Sequence, residues 1–136
     1  MHSKEHLTLV HNAVLKPQDW LRFVQIDPFP GQWSRLGLSD HDLRALELLI
    51  MTAPEEGAVI PGTQGLRKAR FSTPDSGRGK RGAYRVFYVY FPEHGIVTLM
   101  AILAKGQQSN LSKADCNALA AVIGRLRRLL NQGDIQ

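Results

Sequence analysis

The sequence predicts an α+β domain, a small and mostly antiparallel sheet with N-terminal helices packed on one face and a C-terminal helix. Three observations lead to it. The middle of the chain is a run of strand-like segments. Two of them, 83–91 and 96–103, are long, rich in aromatic and β-branched residues, and separated only by Pro92-Glu93-His94-Gly95, as in an antiparallel hairpin. The segments flanking the run carry apolar residues at helical spacing. The resulting order of strand, helix, three strands and helix suits α+β packing and not a regular strand–helix alternation.

Each element has its own signal. Residues 1–20 read as an arm ahead of a domain spanning 21–132. The arm holds a short apolar stretch, Leu7-Thr8-Leu9-Val10, and Pro17, which disfavours helix at Lys16. Phe23-Val24-Gln25-Ile26 reads as a short strand closed by Asp27-Pro28 and Pro30-Gly31. Ser39 or Asp40 then caps a helix whose apolar residues are Leu43, Leu46, Leu49 and Ile50. Pro54 stops it, and Glu55-Glu56-Gly57 makes a loop. Leu66 to Phe71 is the first strand of the central run, followed by a polar loop from Ser72 to Gly82 and the hairpin. Ser112 caps the last helix, with Asp115 at capping-box spacing. Its stripe is Leu119, Val122, Ile123, Leu126, Leu129 and Leu130. Arg125, Arg127 and Arg128 crowd the final turns, where they suit the helix dipole, and Gly133 lies just past the end.

The bulk composition sets limits. At 136 residues the chain is long enough for one domain with a real core and too short for two ordinary ones. Hydrophobic residues make up 43% and charged residues 21%, which suits a packed globule. A net charge of +5 and a pI near 9.7 fit a polyanionic partner such as nucleic acid, or an acidic protein. The one cysteine, Cys116, leaves no internal disulfide and no Cys/His metal spacing, so a reducing cytoplasm is the expected home and no metal or cofactor is expected. The apolar runs fall far short of the roughly 18 residues of a membrane span, and the first residues lack a signal-peptide pattern, so no membrane partner is expected.

Positive charge is concentrated. Arg67, Lys68, Arg70, Arg78, Lys80, Arg81, Arg85 and Lys105 lie between Leu66 and Lys105, opposed there only by Asp75 and Glu93. The strand period of two puts Lys68 and Arg70 on one face and sends Ala69 and Phe71 to the other, toward the core. Arg85 sits in mid-strand among apolar neighbours, and must face water or a ligand because burying it unpaired is costly. Such a cluster suits cleavage of RNA by its own 2′-OH. That reaction needs in-line geometry, a charge-stabilised transition state, a base and an acid. Arginine's fork holds phosphate oxygens, and a lysine among cations can act as a base. Lys68, Arg70 and Arg85 are the candidate catalytic residues. Other features carry less. His94 reads as a solvated turn residue and Cys116 as a small helix residue. Tyr84, Tyr88 and Tyr90 alternate along one strand face and suit packing or base stacking. Gly62-Thr63-Gln64-Gly65 lacks the Lys-Ser/Thr of a P-loop and precedes a strand, so it is not one.

Several stretches in this order form a familiar signature. They are Val59-Ile60-Pro61-Gly62-Thr63-Gln64-Gly65-Leu66-Arg67-Lys68-Ala69-Arg70, then Gly79-Lys80-Arg81-Gly82-Ala83-Tyr84-Arg85-Val86-Phe87-Tyr88, then Leu103-Ala104-Lys105 and Leu111-Ser112. Together they resemble the RelE/ParE superfamily, most of all its HigB-like branch, over about Phe23 to Leu130. The resemblance implies a RelE-like sheet with two N-terminal helices on one side. It implies the toxin of a type II toxin–antitoxin system, a ribosome-dependent endoribonuclease that cuts mRNA in the A site. The partners it implies are a cognate antitoxin, usually of helix-turn-helix type, the ribosome with its mRNA, and operator DNA only through the antitoxin complex. On this resemblance Arg85 and Arg70 hold the phosphate and transition state, and Lys68 serves as base or electrostatic support. Arg67, Lys80, Arg81 and Lys105 bind RNA, and Tyr88 or Tyr90 can stack on a base. Two positions depart from the family pattern. Leu103 stands where a tyrosine is common, and Gln107 where a glutamate is often found.

Overall fold

The computed structural model describes residues 20–74, 83–106 and 110–133. The first 19 residues, Lys80, Arg81 and Gln107 lie outside them. The elements are β1 (Arg22–Gln25), α1 (Phe29–Arg35), α2 (Asp40–Thr52), β2 (Ala58–Val59), β3 (Arg67–Ser72), β4 (Ala83–Phe91), β5 (Ile96–Ala104) and α3 (Lys113–Asn131). The strands form one sheet in the order β1-β5-β4-β3-β2. β1 runs parallel to β5 and every other pairing is antiparallel. The fold is therefore α+β with a five-stranded, mostly antiparallel sheet.

Two elements were not located by the local sequence signals. α1 occupies Phe29–Arg35, where Pro30-Gly31, just after Asp27-Pro28, reads as a turn. Pro30 sits in the first turn, where a missing N–H costs no helical bond. Phe29 and Trp33, one turn apart, are both buried and stack with ring centroids 5.4 Å apart. Their burial outweighs the poor helix propensity of Gly31. The second is β2, two residues long and too short to show any period. α2 begins as its sequence indicates. Ser39 Oγ accepts from the Asp42 N–H at 3.1 Å, and the Asp42 carboxylate accepts from the Ser39 N–H at 2.9 Å. In α3 the Ser112 hydroxyl accepts from the Asp115 N–H at 3.0 Å.

The sheet buries both faces, each under different helices. α1 and α2 cover one: Phe29, Trp33, Leu46 and Ile50 pack on Phe71, Val86, Tyr88, Val97, Leu99 and Ile102. α3 covers part of the other, setting Leu119, Ile123 and Leu130 against Phe87, Val89, Phe91, Ile96, Met100 and Ala101. Apolar periodicity shows that a helix has a buried side but not which face of a sheet receives it. A register shift in the β4–β5 ladder, where Phe87 opposes Ala101 but Tyr88 opposes Leu99, leaves Met100 as an extra residue. Met100 and Ala101 both join the α3 core as a result.

β1 ends at Gln25, so the part of β5 beyond it has lost its neighbour on that side. The Gln32 side chain of α1 fills the gap, its Oε1 accepting from the Ile102 N–H at 2.8 Å. Thr98 is the reverse case. It is 2% exposed and its hydroxyl has no hydrogen-bond partner among the described residues. Thr98→Val keeps the shape and removes an unsatisfied buried hydroxyl, so it should stabilise the fold by about 1 kcal/mol. Urea denaturation should show a higher midpoint with an unchanged slope.

Candidate nucleic-acid interface

Lys68, Arg70 and Arg85 lie on one face of the sheet. In the β3–β4 ladder Arg70 is directly opposite Arg85 and Lys68 opposite Phe87. In the β4–β5 ladder Arg85 is opposite Leu103. Paired residues point to the same side of a sheet, so Arg70, Arg85 and Leu103 form a row across three strands. Lys68 sits one step along β3 from it. Lys105 extends the face, because its N–H donates to Ala83 O at 3.1 Å and continues the ladder by one residue.

The row lies on the α3 side, beyond the part that α3 covers. The C-terminal end of α3 reaches the far end of the sheet, where Asn131 Oδ1 lies 3.2 Å from His94 Nε2 in the β4–β5 turn. Its apolar stripe caps Phe87, Val89 and Phe91, leaving Arg70 exposed and Arg85 half-buried. Neither arginine's side chain makes a hydrogen bond or ion pair with another described residue. The Leu66 carbonyl accepts from Ile60 on the β2 side. By the period of two, Arg70 and Arg85 are then a non-hydrogen-bonded pair, the type whose Cα atoms approach to about 4.5 Å. Two guanidinium groups on directly opposite strand positions repel each other, and an anion between them relieves the repulsion. Lys68 is half-buried, and its ammonium donates to Asn110 Oδ1 at 3.0 Å. That bond ties β3 to the segment leading into α3, and nothing in the sequence pointed to Asn110.

Three of the sequence-based assignments need correction. Arg67 was expected to bind RNA. It lies on the opposite face, paired with Tyr88, and its Nη1 donates to Glu55 O at 2.8 Å and Gly57 O at 2.7 Å. It clamps the loop after α2. Tyr88 was read as suited to packing, with base stacking as the alternative. It is 1% exposed, and its hydroxyl donates to Pro54 O at 2.9 Å. Burial pushes its phenol pKa above the ordinary value, while the nearby Gly57 backbone and Arg67 charge pull the other way. Tyr90 likewise packs against the core under α1 and α2, as does Tyr84. All three tyrosines therefore turn away from the basic row. Strand alternation grouped them correctly, but only the β3–β4 register shows that their face is the buried one. Lys80 and Arg81 lie outside the described residues.

The Gly62–Gly65 turn is held by structure and not arranged around a phosphate. Thr63 Oγ1 donates to Ile60 O at 2.6 Å and accepts from the Leu66 N–H at 3.1 Å. Arg127 donates to Gln64 O at 2.6 Å while its guanidinium lies 5.0 Å from the Phe91 ring centroid. A side chain at Gly124 would crowd Gln64 Nε2 at 3.0 Å. Arg127, expected to act on the helix dipole, thus fastens α3 to the turn that leads into β3. Among the described residues no group of three or more His, Cys, Asp or Glu side chains could hold a metal ion, and no helix is long and apolar enough to cross a membrane.

No protein-family model matches the sequence. Two solved structures of the E. coli toxin RelE are similar to the chain. One is a double arginine-to-alanine mutant in the free state, with 14% identity and a TM-score of 0.48 over 76% of this chain and 97% of that one. The other is the isolated toxin, with 14% identity and a TM-score of 0.44 over 75% of this chain and 98% of that one. A likeness at this level carries nothing about chemistry.

The two neighbouring arginines of β3 should respond oppositely to truncation. Arg67→Ala removes two charge-assisted bonds to loop carbonyls and should cost about 2–3 kcal/mol. Arg70→Ala removes a repulsion and should be neutral or stabilising by up to about 0.5 kcal/mol, most clearly at low salt. Urea denaturation of both variants at two ionic strengths checks the contrast.

Proposed function

We propose that this protein is the toxin of a type II toxin–antitoxin pair and cuts messenger RNA on the ribosome. The observation that carries the reading is the Arg70–Arg85 pair, held side by side on the uncovered part of a sheet face with Lys68 beside it. The ordered signature from Val59 to Ser112, which resembles HigB-like toxins, supports it independently.

The chemistry follows from those groups. The 2′-OH of one nucleotide gives up its proton and attacks the adjacent phosphorus, the bond to the 5′-oxygen of the next nucleotide breaks, and that oxygen takes a proton from water, so that a 2′,3′-cyclic phosphate and a 5′-OH result. Arg85 and Arg70 hold the non-bridging oxygens as negative charge builds on them. Lys68, steadied by Asn110, serves as base or electrostatic support. Lys105, exposed on the same face, binds the RNA backbone, and Lys80 and Arg81 are assigned the same role from sequence. The partners are a cognate antitoxin of helix-turn-helix type, the ribosome with its message, and operator DNA through the antitoxin complex. The cytoplasm is the compartment that fits.

A second reading has one observation in its favour. Leu103 stands directly opposite Arg85, and the tyrosines lie on the other face, so the row lacks an aromatic side chain among the described residues. That favours a non-catalytic protein of the same fold that acts by binding, as a gyrase poison or as a toxin that pairs only with its antitoxin.

Purified ribosomes loaded with a defined message, followed by mapping of the new 5′ ends, separate the two. The wild-type protein should cut in the A-site codon, and Arg85→Ala should cut roughly 100- to 1000-fold more slowly with its fold intact. Growth arrest with gyrase-dependent DNA breaks and uncut message would instead support the second reading.

A further inference from the structure

We propose that the basic row is a binding site for a compact oligophosphate, inorganic tripolyphosphate or the triphosphate of a nucleotide, held by its phosphates alone. This goes beyond the reading above and stands on the charges of the row itself.

Four cationic side chains share the open part of the face. Arg70 and Arg85 stand directly opposite each other. Lys68 is the next residue of that face along β3, about 7 Å from Arg70 by the strand rise. Lys105 is the next beyond Leu103 on the neighbouring strand, about 8 Å from Arg85 by rise and strand spacing. Lysine's flexible stem lets both ammonium groups lean toward the arginine pair. Among the described residues none of the four forms an ion pair with Asp or Glu. Lys68 spends one N–H donor on Asn110, a neutral acceptor, and keeps its full charge.

A ligand that answers this charge is small and dense. An RNA strand carries one negative charge per phosphodiester, and a ribose separates each phosphate from the next. A triphosphate joins its phosphorus atoms through single bridging oxygens, so several charges fall within the span of one row. Each guanidinium can then grip the oxygens of its own phosphate with its planar fork, which relieves the Arg70–Arg85 repulsion at both arginines. The nucleoside has nothing to bind. Leu103 continues the row beyond Arg85, and the three tyrosines lie on the other face of the sheet. Recognition therefore comes from phosphate, and an attached base adds little. A seated triphosphate would also keep RNA off Arg70 and Arg85, so that free nucleotides act as a brake on this site.

Titration calorimetry on the intact protein, at fixed ionic strength and without divalent metal, tests this with tripolyphosphate, ATP, orthophosphate and citrate. Tripolyphosphate should bind at least about tenfold more tightly than orthophosphate or citrate, and ATP should match it within about threefold. Arg70→Ala and Arg85→Ala should each weaken tripolyphosphate about tenfold with circular dichroism unchanged. Arg70 is exposed, so its variant decides the matter if Arg85→Ala disturbs the fold. Arg125→Ala, a change at an exposed arginine late in α3, should leave binding as it is. Citrate binding as tightly as tripolyphosphate, or an equal loss from Arg125→Ala, would overturn the proposal in favour of diffuse charge attraction. ATP binding far more tightly than tripolyphosphate would overturn it by showing that the base is recognised, and absence of tripolyphosphate binding would end it. Binding is read without RNA. A protein that binds tripolyphosphate through Arg70 and Arg85 but leaves message uncut refutes the nuclease reading alone, and one that cuts message but binds no tripolyphosphate refutes this inference alone.

Discussion

The register that sets Arg70 opposite Arg85 is the constraint on which the rest of the structure depends. Once β3 and β4 pair in this way, every alternate position is assigned to a face. Phe71, Val86 and Tyr88 go under α1 and α2, while Lys68, Arg70, Arg85 and Phe87 go to the α3 side. A slip of β3 by one residue would exchange its two sets, burying Arg70 and exposing Phe71. Burial of the aromatic residues thus holds two like charges next to each other, an arrangement the sheet would not adopt for its own sake.

α3 decides how much of that face is open. Its stripe seals Phe87, Phe91 and their neighbours, and Arg127 fastens it to the turn before β3. The row of Arg70, Arg85 and Leu103 is left at the margin, within reach of Asn110 and Lys68 at the approach to the helix. Core and candidate site are consequently two halves of one surface. The covered half supplies hydrophobic stability, and the open half carries charge that a polyanion can neutralise.

Much of this was legible along the chain. Ser39 and Ser112 cap their helices because a side-chain acceptor beside exposed N–H groups is a local matter. The hairpin of β4 and β5 follows from two long strand-like runs and a four-residue turn. α1 was hidden because its signals are a proline that a first turn tolerates and two aromatics whose value lies in distant contacts with the sheet. The structural roles of Arg67 and Tyr88 were hidden for a related reason. Both are polar enough to suggest a surface role, and both are committed to carbonyls of the 54–57 loop, which no spacing rule links to them.

The sequence by itself determined the element types other than α1 and β2, the caps, the density of basic residues and the common face of Lys68 and Arg70, because each depends on neighbours a few positions away. The tertiary structure alone decided that Arg85 joins that face, that the three tyrosines leave it, and that α3 shields only part of it. Those outcomes depend on strand register and on helix placement across segments far apart in the chain. The free energy that selects them comes from burying apolar surface over the whole fold rather than from any local preference.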